Sequence, residues 1–568
     1  MRRKCAAALV AASAMLLSSG ARSASALVGS TSNLNINTFL GADRFYNAGY
    51  TGSRTIVANI EAGWVWNGQE SLTQVATLFQ SDFNTGEFDR HATWVGSTIA
   101  GRPTAGGGEY QRGIAYGATL WSGSISTGWA PPSPPATYSL GFGFSGGSMA
   151  QPYIIAMQTG IGGQTADVIN SSWSTGGSPG GNSYSAETLD SMAFATGKTI
   201  VVAAGNNGPG PDTVFAPASG LNSIAVAALT SDVTDPPYNS AASFSSRSPN
   251  EFFLPTSPSG ITGTVIDNAR AAIDIAAPGV DLTLAEYDGP TGGNGFGGPS
   301  SLANNLYKGG LNGTSFASPV VAGGAALVVD AGKALFPADP SAIDGRVVKA
   351  VLMNSADKTA NWNNGQTLAN GVLTTTQALD YVTGAGRMNL SRAFDQYTAG
   401  TTDLPGVVGG AVQDIGWDFG RVATGAPQDY LLNGTLAAGS MLTATLDWFA
   451  DGQTSNYGSF DNLDLQVWSA DPNGAPLAMI AQSATLYNTS EHLSFALPGD
   501  GQYLLRVEWE NNLYNFAGDR PRDNYGLAWN VTAVPEPVSA MGLFAGVFIL
   551  MRKPSRRGRS SVHDFPPS

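Results

Sequence analysis

Short apolar runs alternate with helix-like stretches from Thr55 to about Tyr397, and this alternation restricts the fold more than any other feature of the chain. The runs are rich in Val, Ile and Ala, which is typical of strands buried on both faces of a parallel sheet. They lie at residues 55–60, 166–170, 199–204 and 223–228. Helix-like stretches between them include residues 153–159 and 185–196. We therefore predict an α/β domain with a mostly parallel sheet over residues 55–397.

The pattern changes in the last third of the chain. Residues 441–448 and 502–509 alternate between apolar and polar side chains. Turn signals separate such runs, at residues 451–452, 472–474 and 500–501. This arrangement predicts a smaller all-β sandwich over residues 398–533. Within it, we expect Asp461 and Asp464 to be turn residues rather than metal ligands.

Charge and residue counts exclude several classes of function. The formal net charge of −14 argues against a nucleic-acid partner, which needs a basic face to displace counterions. The single cysteine, Cys5, lies in a predicted signal peptide, so the mature chain has no thiol nucleophile, disulfide or Cys-ligated zinc. The three histidines are His91, His492 and His563, too few for a His-rich metal site. His91 is the one histidine of the predicted α/β domain.

The N-terminus has the three parts of a secretory signal peptide. Residues 2–4 are basic, residues 6–17 are apolar, and residues 24–26 form the small Ala-Ser-Ala cleavage pattern. We predict a signal peptide over residues 1–26, with a buried helix as the alternative. The short segment 27–54 would then open the mature protein.

The C-terminus also has a recognisable order. Residues 534–537 read Val-Pro-Glu-Pro, and an apolar run over residues 538–551 is followed by a basic cluster. The arrangement over residues 534–559 resembles the PEP-CTERM sorting tail of Gram-negative bacteria, with residues 560–568 as a final tail. The resemblance implies export to the cell envelope or beyond, transient membrane anchoring, and an exosortase-type processing enzyme as partner. A plain membrane anchor is the alternative.

Ser315 has the surroundings of a nucleophile. It stands in Gly-Thr-Ser-Phe-Ala-Ser-Pro, residues 313–319, at the start of an Ala-rich helix-like run. Small neighbours expose its hydroxyl, and a helix N-terminus favours developing negative charge. A serine hydroxyl needs a base to accept its proton, and His91 is the available histidine. The base in turn needs an acid to fix its tautomer and to stabilise the imidazolium.

Together these segments resemble the subtilisin family, the subtilases of peptidase family S8. The nucleophile segment matches the family pattern almost residue for residue. His91 opens His-Ala-Thr-Trp-Val-Gly, similar to the family's His-Gly-Thr-His-Val-Ala-Gly, and residues 201–208 resemble the segment that bears the family's oxyanion asparagine. The resemblance covers about residues 50–396. It implies a subtilisin-like three-layer fold and serine endopeptidase activity on protein or peptide substrates.

The resemblance also implies a role for each site residue. Ser315 would be the nucleophile, His91 the general base and Glu61 the acid, while the Asn206 side chain and the Ser315 backbone N–H would hold the oxyanion. Two segments would contact the substrate, one pairing with its backbone and one lining the pocket for the side chain before the scissile bond. They are Ser172, Trp173 and Ser174, and Ala203, Ala204 and Gly205. Small residues in the second segment predict broad cleavage after large apolar side chains.

The sequence departs from the family pattern at three positions. Glu61 replaces an aspartate, Trp94 replaces the second histidine, and Ala92 replaces a glycine. Glutamate reaches about 1.5 Å further than aspartate, and the related sedolisins also use a glutamate acid. The alternative to an active protease is therefore a catalytically inactive subtilisin-fold protein used for surface binding or as a scaffold. A third reading, carbohydrate binding by the β domain, would need Trp448 or Trp509 on an exposed platform.

The predicted chemistry requires no cofactor. Subtilisins often bind structural calcium, for which this sequence assigns no ligand. Residues 461–467 resemble part of the accessory domains appended to many secreted peptidases, which have loose roles in secretion, substrate binding or stability.

Overall fold

The computed structural model describes residues 28–29, 34–103, 112–130, 141–143, 145–231, 236–287, 306–401, 411–453, 456–518 and 522–533. The predicted signal peptide and the predicted C-terminal sorting segment lie outside these residues.

Helices occupy the first two thirds of the described chain. The α-helices are α1 Ile36–Phe39, α2 Asp43–Asn47, α3 Arg90–Ala100, α4 Gly146–Ile154, α5 Tyr184–Thr196, α6 Thr314–Leu335, α7 Gly345–Asn354 and α8 Leu390–Ala399. A π-helical turn, Ile155–Thr159, extends α4, and a 3₁₀ turn, Pro340–Ile343, precedes α7. Helix α6 is long and apolar enough to cross a membrane, but nearly all of it is buried inside the protein.

Strands run throughout the chain. Those up to residue 375 are β1 Val28–Gly29, β2 Leu34–Asn35, β3 Ile56–Glu61, β4 Thr77–Phe79, β5 Thr119–Ser124, β6 Gly128–Ala130, β7 Gly141–Gly143, β8 Val168–Ser171, β9 Thr199–Ala203, β10 Ile224–Leu229, β11 Asn250–Pro255, β12 Gly263–Arg270, β13 Ile275–Pro278, β14 Leu282–Ala285, β15 Tyr307–Leu311, β16 Gln366–Ala369 and β17 Val372–Thr375. The later ones are β18 Ala411–Val412, β19 Ile415–Ala423, β20 Gln428–Leu432, β21 Met441–Trp448, β22 Asp451–Gln453, β23 Asn456–Ala470, β24 Pro476–Ser483, β25 Ser490–Ala496, β26 Gln502–Asn515 and β27 Arg522–Thr532.

A seven-stranded parallel sheet forms the centre of the first domain. Its strand order is β13-β10-β9-β8-β3-β5-β4, and every pairing in it is parallel. Strands β8, β9 and β10 are buried at every residue, as their apolar composition predicts. Helix α6 packs across them and also contacts α3. The predicted α/β fold is confirmed, with strand bounds within two residues of those expected.

The second domain is a sandwich of two sheets. One has eight strands, in the order β16-β17-β24-β23-β26-β20-β18 with β22 beside β23, and the other has the order β19-β27-β21-β25. Inward-facing side chains such as Leu446, Leu465 and Val507 fill the space between them. The predicted β sandwich is therefore confirmed. Trp448 is fully buried in this core and offers no exposed platform for a sugar.

The expected turn at Asp461 and Asp464 is wrong. Both residues lie inside the long strand β23. Irregularities in its pairing with β26 fall between Phe460 and Asp461 and between Asn462 and Leu463. Such bulges change the alternation of side chains without ending the strand, so a cluster of polar residues here is compatible with a strand.

A hairpin from the first domain forms the edge of the larger sandwich sheet. Strands β16 and β17 pair with each other, and β17 pairs in parallel with β24, with Leu373 opposite Ala481. Parallel pairing requires strands that are distant in sequence, and here about 100 residues separate them. The larger sheet therefore contains strands from both sides of residue 398.

Helix α7 carries the main contact between the domains. It packs against strands β21 and β27 of the smaller sandwich sheet. A Cβ atom on Gly526 would lie 2.4 Å from the carbonyl oxygen of Arg346, so only glycine permits this approach. The buried Lys349 ammonium lies 3.0 Å from Asp274 in the first domain and 3.3 Å from Asp447 in the second. Burial raises the pKa of Asp447 to about 7, against the opposing effect of Lys349.

Replacing Lys349 with methionine should lower the free energy of unfolding by about 3–5 kcal/mol, because the change keeps the length of the side chain but leaves two buried carboxylates without a cation. Urea unfolding followed by tryptophan fluorescence and circular dichroism measures the loss. Both probes should report one transition, because the two domains share this interface.

The matched control is Arg44→Ala, which breaks an ion pair with Asp395 whose side chains are about half exposed. We expect it to cost less than about 1 kcal/mol. A Lys349→Met variant as stable as this control, or a sandwich that melts in a separate transition, would contradict the assignment.

Candidate active site

The predicted site residues lie near the carboxyl ends of neighbouring parallel strands. Strand β3 ends at Glu61, Ser172 follows β8, and Ala204 follows β9. Helices α3 and α6 begin next to His91 and Ser315 respectively. Because the strands are parallel and adjacent, their carboxyl ends meet at one edge of the sheet, where α/β proteins place their ligands.

Glu61 connects two of these segments. Its carboxylate is buried, with one oxygen 3.0 Å from His91 Nδ1 and the other accepting the backbone N–H of Ser172 at 2.8 Å. A carboxylate beside Nδ1 fixes the tautomer in which Nδ1 carries the proton. Nε2 of neutral His91 is then free to accept a proton. The extra methylene of glutamate is thus accommodated by the distances in the site.

The surroundings of His91 make its ring more basic than that of a free histidine. Burial by itself disfavours the charged ring, but the hydrogen bond and charge of Glu61, together with the charge of Asp89, outweigh it and raise the pKa of His91 above 6.5. The ring remains about a quarter exposed, so a substrate can reach it.

Asp89 is a neighbour that the sequence analysis missed. It caps helix α3 by accepting the backbone N–H of Ala92 at 3.0 Å, and it is completely buried. Burial raises its pKa to about 6, and the charge of His91 lowers it. An aspartate two residues before a helical histidine is an N-cap signal that could have identified it.

Ser315 is the second residue of helix α6, after the cap residue Gly313. Its hydroxyl donates to the carbonyl oxygen of Ser172 at 3.3 Å. Among the described residues it has no hydrogen bond to His91, and such a bond would have to form before a proton could pass between the two side chains. Catalytic hydrogen bonds of this kind often form only when substrate is bound.

Asn206 is oriented by Thr314, the residue before Ser315. The backbone N–H and the hydroxyl of Thr314 both donate to Asn206 Oδ1, at 2.9 and 3.0 Å. Because Oδ1 must be the acceptor, the amide nitrogen is directed away from Thr314. Asn206 is exposed, and in the described part of the chain its amide nitrogen has no hydrogen-bond partner, so it can donate to a bound oxygen. Thr314 also accepts the backbone N–H of Gly205 at 3.1 Å.

The two predicted substrate segments lie beside these groups. Trp173 is buried and its indole donates to the carbonyl of Ile60 at 3.1 Å, whereas Ser174 is exposed. In the other segment the small residues Ala203 and Ala204 are buried, and Gly205 has a φ of +107°. Hydrogen bonds therefore connect the segments of Glu61, His91, Ser172, Gly205, Asn206 and Ser315 into one site.

Trp94, which replaces a histidine of the family pattern, is buried on the inner side of helix α3. Its indole N–H donates to Glu286 at 2.9 Å, and Glu286 forms an ion pair with Arg90 at 2.7 Å. Across the residues that the structure describes, no three His, Cys, Asp or Glu side chains are grouped to hold a metal ion.

Comparison with known proteins gives a consistent result. The model of the subtilase family, Peptidase_S8, matches residues 78–386. Over 295 residues the chain is 28% identical to subtilisin DY of Bacillus licheniformis, covering 51% of this chain and 81% of that protein. It is 28% identical over 292 residues to subtilisin E of Bacillus subtilis, covering 51% and 58%. A solved structure of the prenylagaramide maturation protease PagA matches with a TM-score of 0.41 and 19% identity, covering 63% of this chain and 98% of that one. His91, Asn206 and Ser315 lie inside the family match, and Glu61 lies before it.

Replacing Glu61 with glutamine should lower the pKa of His91, because the substitution removes the negative charge that favours the imidazolium. With three histidines in the chain, histidine-labelled protein gives few signals, and an NMR titration of the His91 ring measures the shift.

Glu187→Gln is the control, since that carboxylate bonds to Tyr457 instead. It should leave the His91 titration unchanged. If His91 titrates identically in Glu61→Gln and in the wild type, the proposed pairing is absent.

Proposed function

The chain belongs to the subtilase family of serine peptidases, and on that premise we propose that it is an endopeptidase acting through an acyl-enzyme with a Glu61–His91–Ser315 triad. The main support is the Glu61 carboxylate, which bonds to His91 Nδ1 and to the Ser172 backbone at the same time. This contact gives the base the tautomer that the chemistry needs, although the acid is a glutamate.

The reaction begins with attack by Ser315 Oγ on the substrate carbonyl carbon. His91 Nε2 takes the hydroxyl proton, and the ionised Glu61 stabilises the imidazolium that results. The Asn206 amide and the Ser315 backbone N–H donate to the oxyanion. His91 then returns the proton to the leaving amine, whose departure leaves an acyl group on Ser315. Water activated by the same base completes hydrolysis.

Two features of the site, the buried Glu61 carboxylate and the oriented Asn206 amide, favour an active peptidase over an inactive binding protein. A degraded site would have no reason to keep a buried carboxylate on the histidine, because burying an ionised group is costly without a partner. The amide of Asn206 is likewise oriented by two hydrogen bonds to its oxygen. Both features would stabilise the charges that develop during the reaction, on the His91 imidazolium and on the oxyanion.

We propose broad specificity with a preference for large apolar side chains before the scissile bond. The proposed pocket is lined by small, uncharged residues: Ala203, Ala204 and Gly205. Their side chains leave it roomy and apolar, so they favour apolar groups without selecting a particular shape. Ser174 is exposed, and we propose that its backbone pairs with an extended substrate.

Ser315→Ala should reduce hydrolysis of casein by about 10⁴-fold or more, because the nucleophile is lost while the rest of the site remains. Circular dichroism checks that the variant folds.

The wild-type protein, tested on a peptide library varied at the residue before the scissile bond, should cleave after large apolar residues.

Ser191→Ala is the matched control, because Ser191 is also a buried helical serine but bonds to the backbone of Glu187 in α5. It should retain activity. Failure of the folded wild type to hydrolyse casein, with calcium supplied, would favour the inactive binding protein. A strict requirement for basic residues would reject the proposed pocket.

We also propose that the protein is exported and that its C-terminal segment is processed by an exosortase-type enzyme. The support comes from the order of basic, apolar and small residues at the N-terminus and from the Pro-Glu-Pro, apolar and basic order at the C-terminus. Mass spectrometry of the protein from its host should find a start near Leu27 and loss of the apolar run over residues 538–551 with the basic cluster after it. A chain that retains both ends would contradict the proposal.

A further inference from the structure

We infer that Trp94, held in place by Glu286, is a positioning residue for the general base His91 and sets its location relative to Ser315. The inference rests on the proposed function, since it concerns the geometry of the same reaction. Trp94 does not touch the reacting atoms, and it acts through the histidine ring.

The orientation of Trp94 is fixed by a buried polar chain. Its indole N–H donates to Glu286 at 2.9 Å, and Glu286 in turn lies 2.7 Å from the guanidinium of Arg90. The side chains of Glu286 and Arg90 are almost completely buried. A directional hydrogen bond to a buried, paired carboxylate allows the indole one orientation, whereas a purely apolar contact would allow several.

Three aromatic rings meet beside the catalytic pair. The centroids of Trp94 and His91 are 6.4 Å apart, those of His91 and Phe316 are 6.0 Å apart, and those of Trp94 and Phe316 are 5.9 Å apart. Trp94 meets both of the other rings edge to face, the arrangement that aromatic pairs prefer. Glu61 restrains His91 only through Nδ1, so Trp94 and Phe316 supply the lateral contacts that limit rotation of the ring.

The same cluster connects the base to the nucleophile. Trp94 lies on helix α3 with His91, and Phe316 directly follows Ser315 on helix α6. The contact between Trp94 and Phe316 therefore sets the spacing of the two helices where the proton must pass. A third segment, the end of strand β14, is fixed to helix α3. Glu286 directly follows this strand, and the Ala285 N–H donates to the Ser97 hydroxyl on α3 at 3.2 Å.

Stability alone does not explain the arrangement. Replacing a buried ion pair with apolar side chains of similar volume is often neutral or stabilising, so Arg90 and Glu286 are a poor way to fill a core. Here Glu286 orients the indole ring of Trp94, and Arg90 Nε also donates to the carbonyl of Tyr287 at 3.1 Å. The position of that ring decides where His91 can lie, and a misplacement of about 1 Å at a reacting group can cost about 100-fold in rate.

The test replaces Trp94 with phenylalanine, which keeps an aromatic ring but removes the donor to Glu286. We expect kcat to fall by about 10–100-fold while KM stays within about twofold, since the substrate-binding segments are not touched. The pH profile of kcat/KM should also change in its acidic limb, which reports the titration of His91. The Nδ1 proton resonance of His91 should shift in the NMR spectrum of histidine-labelled protein.

Trp529→Phe is the matched control. Trp529 is also buried and donates its indole N–H to a carbonyl, that of Gln413, but it lies in the sandwich. It should leave kcat and the His91 resonance unchanged. Glu286→Gln, which keeps the size of the acceptor, should reproduce the His91 shift in weaker form even if Trp94→Phe folds poorly.

The outcomes separate this inference from the proposed function. A wild type that hydrolyses nothing refutes the proposed function, while the His91 resonance still reports whether Trp94 positions the ring. Active wild type with kcat and the His91 resonance unchanged in a folded Trp94→Phe variant overturns the inference alone. An equal loss of kcat in Trp529→Phe would also overturn it, because the effect would then be one of general stability.

Discussion

The arrangement of the site depends on a carboxylate that has almost no access to water. A buried carboxylate needs hydrogen-bond partners, and the two oxygens of Glu61 bond to the His91 ring and the Ser172 backbone. These bonds tie strand β3 to helix α3 and to the end of β8. The Ser172 carbonyl also accepts the hydroxyl of Ser315, so the same segment contacts Glu61 and Ser315. Any shift of Glu61 would therefore disturb all three members of the proposed triad together.

Local sequence patterns were sufficient to predict the sheet and to select residues that lie together in the candidate site. Buried parallel strands have a distinctive apolar composition, and Ser315 stands in a motif of small residues at the start of a helix. Contacts between distant segments have no such local signal. Glu286 bonds to Trp94 across 192 residues of sequence, and Thr314 orients Asn206 across 108. The strand through Asp461 was missed because bulges disrupt the alternation that identifies strands.

At the boundary between the two domains, some polar groups have pKa values well below their usual ones. The amino group of Lys358 lies 2.6 Å from His492 Nε2, and His492 is completely buried while Lys358 is half-buried. Burial lowers the pKa of Lys358 to about 7 and holds the pKa of His492 well below its usual value. Asn222 and Ala450 also exchange hydrogen bonds of 2.8 and 2.9 Å across the boundary. Specific polar contacts therefore align the two domains, in addition to the packing on helix α7.

The contacts of strand β17 and helix α7 with the sandwich have a consequence for folding during synthesis. During synthesis from the N-terminus, the residues of the parallel sheet leave the ribosome before strands β21, β24 and β27 exist. Until those strands arrive, the outer face of α7 is bare, the Lys349 ammonium has one of its two carboxylates, and β17 has an unpaired edge. The nascent peptidase half is therefore incomplete, and the whole chain to about residue 532 must be present before it reaches its final packing.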